Sequence, residues 1–446
     1  MPRIIIKEDE LTTFAQFNAT ENSVLVPLFV TLDNKSSARY SNLAEFKKDF
    51  PTASVTWEEE ADTEGVYRAK VSGGVVSYWR DSRALGGDQY REIILFDKSY
   101  LMICELLAAG MPVVVKPIYH EGEFANEAEA SSTIQTSIAE AFAEFNDKNL
   151  WNIKFVTSGA YPNVILDGSS ISGAYTSLRA VPKDRADCID LLEFEKTLPF
   201  DVEVDSQSSE SIPTLKKVLS LLSSGNSFEA AFYPWGVYTT SAAGLVNQMS
   251  AEMPACFGYL LAVAQNALTN ADWLANSGTI RGRVPNLNSL KYNIGETAMH
   301  YLQGDGDEGE TADVRVNPIM PVGTYGTRIW GNRTTVSDTS DKYTNFLNVR
   351  ILVCDIKKQL YHASLRVTFE PNDDIAWINF KKLNNTLLDQ MQSGRGIQWY
   401  RWSKLITDKK ATLKALLTVK PIEALEYFDI TVNLTDGGSV EVEEVI

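Results

Sequence analysis

The stretch from Asn317 to Tyr400 leaves the chain the least freedom. Gly323, Gly326 and Gly331 punctuate an apolar and aromatic run holding Tyr325, Ile329 and Trp330. This is the pattern of a short strand and turn, in which glycine supplies backbone angles that other residues avoid. From Val349 the apolar positions Val349, Val353, Ile356, Leu360 and Ala363 step by four, three, four and three, so one stripe of a long helix faces a core. Pro371, Asn372 and Asp373 break that helix, and a second is marked by Phe380, Leu383, Leu387, Leu388 and Met391 before Gly394 and Gly396 stop it. No His or Cys stands in a spacing that catalysis would need. The stretch reads as scaffold.

The preceding sequence alternates helices with short apolar strands, the signature of an α/β layer. VLVPLFV from Val24 reads as a buried strand, with a helix starting at Ser41-Asn42. YLMICELLAAGMPVVVKP from Tyr100 reads as a helix ending at Gly110 and a strand at Val113 to Val115. A helix with Ile134, Ile138, Phe142 and Phe145 on one face leads to a strand around Ile153 to Val156. MPACFGYLLAVAQN from Met253 is a small-residue helix followed by the turn around Trp273.

Several clusters invite chemistry and do not sustain it. Glu58, Glu59, Glu60, Asp62 and Glu64 lack fixed ligand spacing and read as a solvated loop or helix face. Asp184, Arg185, Asp187 and Asp190 have no base with a partner beside them and read as surface or interdomain salt links. In GDGDEGE, Asp305 and Asp307 suit the first positions of a calcium loop, but Gly309 and Val316 occupy positions that need ligands. His120, His300 and His362 stand far apart. Cys104, Cys188, Cys256 and Cys354 are scattered singly, so buried free thiols are expected. No phosphate-cradling loop, zinc-protease or serine-hydrolase motif is present. The reading is of a protein without cofactor, metal site or catalytic residues.

Charge sharpens the picture. Lys and Arg total 41 against 58 Asp and Glu, a net −17 that argues against general nucleic-acid binding. No apolar run approaches the roughly 18–20 residues that cross a bilayer, and MPRIIIKEDELTTF lacks the form of a secretory signal, so cytoplasmic assembly without membrane insertion is expected. Within this acidic chain, Lys381 to Lys420 holds nine Lys and Arg against Asp389 and Asp408, and Pro421 to Ile446 holds seven acids and no base. The basic part is either a solvated helix pair or a face that meets an acidic polymer. The acidic part is strand-like: Phe428, Ile430, Val432 and Leu434 alternate with polar residues, Gly437 and Gly438 form a turn or hinge, and Val440 and Val442 alternate with Glu441 and Glu443. Ile4, Ile5 and Ile6 form a second isolated strand that must find a sheet edge.

The ordered elements resemble a known family. Gly-Thr-Arg-Ile-Trp-Gly-Asn-Arg-Thr, carrying Gly326, Trp330, Gly331, Arg333 and Thr334, looks like the G-x-x-V-W-G-x-R-T element of the tail sheath proteins of contractile phage tails and related injection systems. Phe369, Pro371, Asn372 and Asp373, followed by Trp377, are similar to the F-E-P-N-D-x-x-x-W element that comes next. The helix from Pro254 and the turn at Trp273, Ala275, Asn276 and Gly278 resemble the family's P-P-S-G-x-x-A-G and W-x-A-P-A-N-G elements, the second without its Pro. The Val24 strand lacks the family's glycines.

The resemblance implies a multi-domain α+β and α/β fold, with mixed sheets flanked by helices and extended N- and C-terminal strand arms. It divides the chain into an N-terminal arm (1–20), an N-terminal α/β portion (21–120), a middle portion (121–315), a C-terminal domain with a basic helical face (316–435) and a C-terminal arm (436–446). It implies a structural subunit that stacks with itself as hexameric rings around a tail tube protein, meets baseplate and tail terminator proteins, resides in the virion tail and contracts to drive the tube through an envelope. A headless tailocin-like particle, or less favourably a soluble α/β enzyme, is the alternative. The tube would be met by Lys381, Lys382, Arg395, Arg401, Lys404, Lys409, Lys410 and Lys414. Ile4 to Ile6, Val440 and Val442 would pair with neighbouring subunits' sheets, or the C-terminal strands would close a hairpin within one chain.

Overall fold

The computed structural model describes residues 20–30, 32, 35–52, 54–59, 66–72, 81–86, 89–93, 98–119, 135–167, 169–201, 214–222, 225–244, 250–304, 311–337, 343–406 and 412–424, with backbone alone for 54–93. Ile4 to Ile6, His120, Asp305, Asp307, Lys409, Lys410, Gly437, Gly438, Val440 and Val442 lie outside the described residues.

The fold is built on an eight-stranded sheet: β1 (Val24–Val30), β2 (Ala38–Tyr40), β3 (Val113–Tyr119), β4 (Phe155–Val156), β5 (Ile189–Leu192), β6 (Glu229–Tyr233), β7 (Asn317–Pro321) and β8 (Thr327–Ile329). Their order across the sheet is β8-β7-β6-β5-β4-β1-β3-β2. The six inner strands are parallel, and β2 and β8 run antiparallel at the two edges. Every residue of β1 is buried, as the unbroken apolar run VLVPLFV requires of a strand covered on both faces. The strands come from 24 to 329, so the central sheet takes strands from either side of the boundaries expected near 120 and 315.

Two helices cover one face. α1 (Lys98–Ala108) buries nine consecutive residues, and α3 (Ala255–Ala267) buries its first ten. α2 (Tyr175–Arg185) packs on the other side with Leu178 and Val181 against Leu25, Val114 and Val156. All four cysteines are buried free thiols, as their scatter suggested.

Two expectations are corrected. Glu58 and Glu59 fall in a strand, residues 54–59, paired with Val66–Ser72, which places Glu58 opposite Arg68, because Val55, Thr56 and Trp57 suit a pleated surface better than a helix; Glu60, Asp62 and Glu64 lie outside the described residues. Of the Asp184 to Asp190 cluster only Asp184 is exposed, accepting from Asn146 at 3.2 Å; Arg185, Asp187 and Asp190 are buried rather than surface links. Arg185 is 1% exposed, pairs with Asp187 at 2.9 Å and donates to the Phe145 and Trp151 carbonyls at 2.7 and 2.8 Å. The left-handed Ala186 ends α2 and leaves Arg185 to tie that end to the preceding loop. Asp190 is fully buried beside Glu229 in register, and both its oxygens lack a hydrogen-bond partner. Burial pushes its carboxyl well above the usual range.

After the sheet come α4 (Leu347–Val367) and α5 (Asp374–Ser393), then the hairpin of β9 (Ile397–Leu405) and β10 (Lys414–Pro421). Trp273, Leu352, Ile356, Leu388, Met391 and Ile397 form their shared core. Asp373 caps α5 by accepting from Ile375 N and Ala376 N, both at 2.9 Å, which fixes where the second helix begins.

Candidate assembly surface

In open α/β sheets a ligand crevice forms at the carboxyl ends of the strands where the strand order reverses. Here that position, between β1 and β4, is filled by the chain itself. Thr157 Oγ1 donates to Glu193 at 2.6 Å, Gly159 N donates to Thr157 at 3.1 Å, and Ala160 N donates to Ser99 at 3.0 Å. Cys256, on the first turn of α3, donates to the same Glu193 oxygen and closes the crevice. Burial pushes Glu193 up to about 8. No group of three or more His, Cys, Asp or Glu suited to a metal occurs among the described residues.

The exposed chemistry lies at the C-terminal end. β9 and β10 pair only with each other among the described residues, so no described strand covers either outer edge of the hairpin. One face of the hairpin rests on α5. Trp402 Nε1 donates to Asn385 at 2.9 Å, Tyr400 Oη donates to Asp389 at 2.6 Å, and Lys404 Nζ lies 2.7 Å from Asp374. Beneath them Trp402 meets Trp377 and Phe380 edge to face, and those two rings stack on each other. Partial burial and the Asp389 bond push Tyr400 up to about 12, and the Lys404 ammonium holds Asp374 below the usual carboxylate range.

Side chains alternate along a strand, so the opposite face points away from α5. Register places Trp399 beside Lys420, Arg401 beside Thr418, Ser403 beside Leu416 and Leu405 beside Lys414. Trp399 is 44% exposed and Leu416 49%, and neither strand contains an acid. The result is a basic, partly apolar outward face.

The sequence-predicted cations therefore do not share one face. Arg401 and Lys414 lie on the outward face of the hairpin, while Lys404 lies on the inward face in its ion pair. Lys381 and Lys382 are on α5, with the Lys381 ammonium 5.0 Å from the Trp377 ring, and Arg395 occupies the left-handed turn (φ 62°) before β9. The cations are thus divided between helix and hairpin rather than gathered on one helical face. Trp399, Leu416 and Lys420 belong to the outward face; Trp399 and Leu416 escaped the sequence reading, and Lys420 was counted among the basic residues without being placed on the face. The period-two aromatic run IQWYRWSKL was the signal for Trp399.

The glycine-tryptophan element is scaffold. Asn317, fully buried at the start of β7, donates to the Ala231 and Arg333 carbonyls at 3.1 and 2.8 Å and accepts from Arg333 N at 2.7 Å. A Cβ on Gly331 would come 2.7 Å from that Asn317 oxygen. Trp330 N donates to Pro318 O at 2.8 Å across the turn beyond Gly326 (φ 74°), Arg333 lies over the Phe346 ring and Thr334 is buried. Asn332 donates to Asn348 at 2.7 Å, and Asn348 donates to Trp273 O at 3.2 Å. The element thus locks the sheet to the start of α4.

The second element behaves differently. Pro371, Asn372 and Glu370 are exposed, and Phe369 is 99% exposed with a left-handed backbone (φ 73°). Only Asp373, by capping, and Trp377, by packing, serve the fold.

No family model and no curated protein sequence matches the chain. Solved structures do. A chain of the sheath complex of an extracellular contractile injection system, PVC, in the contracted state is similar at 11% identity and TM-score 0.58, covering 97% of each chain. A chain of the anti-feeding prophage (AFP) baseplate is similar at 12% identity and TM-score 0.55, covering 98% of this chain and 99% of that one. A chain of the AFP baseplate in the contracted state is similar at 14% identity and TM-score 0.54, covering 97% and 98%. The mixed α+β fold is shared with these chains from end to end.

Proposed function

We propose that the protein is the sheath subunit of a contractile injection machine, a structural polymer rather than an enzyme. The observation that carries this reading is the likeness, over 97% of both chains, to a chain of the PVC sheath complex. The plugged crevice and the exposed hairpin support it, because the chain offers an edge to pair with and a charged face to rest on.

In this reading hexameric rings of the chain stack around a tube, and β9 and β10 receive strands from neighbours: Ile4 to Ile6 on one outer edge and Val440 and Val442 on the other. Main-chain hydrogen bonds then hold the assembly, and Gly437 and Gly438 let the link bend. Residues 1–20 and 436–446 act as arms around the units between them. Arg401, Lys414 and Lys420, with Lys381, Lys382, Arg395, Lys404, Lys409 and Lys410 nearby in sequence, supply modest, salt-screened contacts to an acidic tube. The name of one similar structure, an extracellular contractile injection system, is compatible with a headless injection particle as well as with a phage tail.

Deleting Ser439 to Ile446 tests the linkage. The truncated chain should keep the melting temperature of the full chain and form no ordered polymer. Normal helical polymers from the truncated chain would rule out strand exchange.

A further inference from the structure

Asp190 takes no part in the assembly surface, yet it sits where a carboxylate is costly. It is wholly buried in β5, and neither of its oxygens has a hydrogen-bond partner among the described residues. Ile189 and Leu191 join the apolar cluster of α1 and α3, so alternation turns Asp190 to the face that α2 covers. Glu229 stands beside it in register on β6, equally buried. The Glu229 carboxylate is already engaged. Arg179 of α2 pairs with it, Nη2 donating to Oε2 at 2.8 Å, and Thr335 Oγ1 donates to the same oxygen at 3.1 Å. The charged and titratable groups that face Asp190 are Glu229 from β6, Arg179 from α2 and Glu193, next after β5. One guanidinium therefore faces three acids, and it is paired with another of them. An ionised carboxyl at Asp190 would be a buried charge with neither cation nor donor of its own, whereas a protonated one is neutral. Burial first, and then the Glu229 charge, push it well above the ordinary carboxylate range.

We propose that Asp190 keeps its proton at neutral pH and that this proton latches α2 to the central sheet. With Asp190 neutral, Arg179 balances Glu229 one to one across the seam between helix and sheet. Losing the proton sets a second negative charge into the same buried seam, and separation of α2 from β5 and β6 is what lets water reach both carboxylates. Because its folded value lies above its unfolded one, Asp190 contributes fully below the ordinary carboxylate range, and that contribution is lost as pH rises through the folded value. The latch opens towards alkaline pH, and it does so whether or not the chain polymerises.

Hydrogen exchange of the full chain, followed as pH is raised and corrected for the intrinsic rate, tests this. The amides of α2 should lose protection by up to about tenfold per pH unit, the limit for release of one proton, while those of α5 stay level. Asp190→Asn keeps a neutral group of the same shape and should make α2 as level as α5. Arg179→Met leaves Glu229 unbalanced and should move the loss to lower pH. Infrared spectra of the wild-type chain with isotope-labelled aspartate read the proton directly: a protonated-carboxyl band should persist at neutral pH and fade over the range in which α2 loses protection. An α2 profile that keeps its slope in Asp190→Asn, or the absence of any protonated aspartate at neutral pH, would overturn the proposal.

Discussion

Lys154 Nζ lies 3.1 Å from the Asp355 carboxylate with both side chains wholly buried, and this pair ties the start of β4 to the middle of α4. Lys358, one residue-turn on, donates to Asn152 at 3.1 Å. Burial pushes Asp355 up to about 6 and Lys358 down to about 8. The contact between sheet and C-terminal helices is thus ionic at its centre as well as apolar.

Removing one partner of a buried pair strands the other charge. Lys154→Met should therefore lower stability by about 3–5 kcal/mol, read as a drop in the urea midpoint. Lys154→Met with Asp355→Leu should recover most of that loss, since apolar replacement of both partners removes the stranded charge. A double variant as unstable as the single one would show that packing, not charge, sets the cost.

Trp273 should be the second anchor. Its indole donates to Gly394 O at 2.9 Å, and a Cβ on Gly394 or Gly396 would come 2.6 Å from its ring. Trp273→Ala should cost about 3–5 kcal/mol, and Gly396→Ala should be destabilising because ring and backbone cannot both keep their places. Thermal unfolding of both variants checks this, and an unchanged Gly396→Ala would refute the close approach.

Glu193 should make stability depend on pH. Its folded value of about 8 lies above the ordinary 4.5, so the folded state holds a proton that the unfolded state has released between those limits. Stability from this group is then fully present below pH 4.5 and lost as pH rises towards 8. Glu193→Gln should flatten that decline across pH 5 to 8 in urea titrations. An equally steep decline in the variant would place its source elsewhere.

Phe369 should carry backbone strain. A bulky residue at φ 73° with a solvent-exposed ring gains nothing from packing that offsets the strain. Phe369→Gly should raise the stability of the subunit by about 1 kcal/mol, whereas Phe369→Ala should change it little. A lower melting temperature for Phe369→Gly would show that the ring is held after all.

Much of this architecture was legible where one residue pattern had one structural meaning. The four-three stepping from Val349 and the Pro-Asn-Asp break placed α4, because a helix stripe and its breaker are local in sequence, whereas Asp373 was read only as part of the break and the fold shows it capping α5. The basic residues after Arg395 were harder. Charge shows a face but not which element carries it, and strand register alone separates Arg401 and Lys414 from Lys404. Arg185 and Asp190 misled for a related reason: a charged residue in sequence looks solvated until tertiary packing buries it. Phe369 was read as scaffold from the motif that contains it, and only the fold shows its ring in solvent.

Electron microscopy of the purified full chain, concentrated alone and then added to tubes from its source particle, tests the central claim most directly. The account predicts hollow, striated cylinders with six-fold rings, in which reconstruction shows neighbouring strands added to the outer edges of β9 and β10. Monodisperse subunits under every condition, tubes included, or polymers whose β9 and β10 edges remain unpaired, would contradict it.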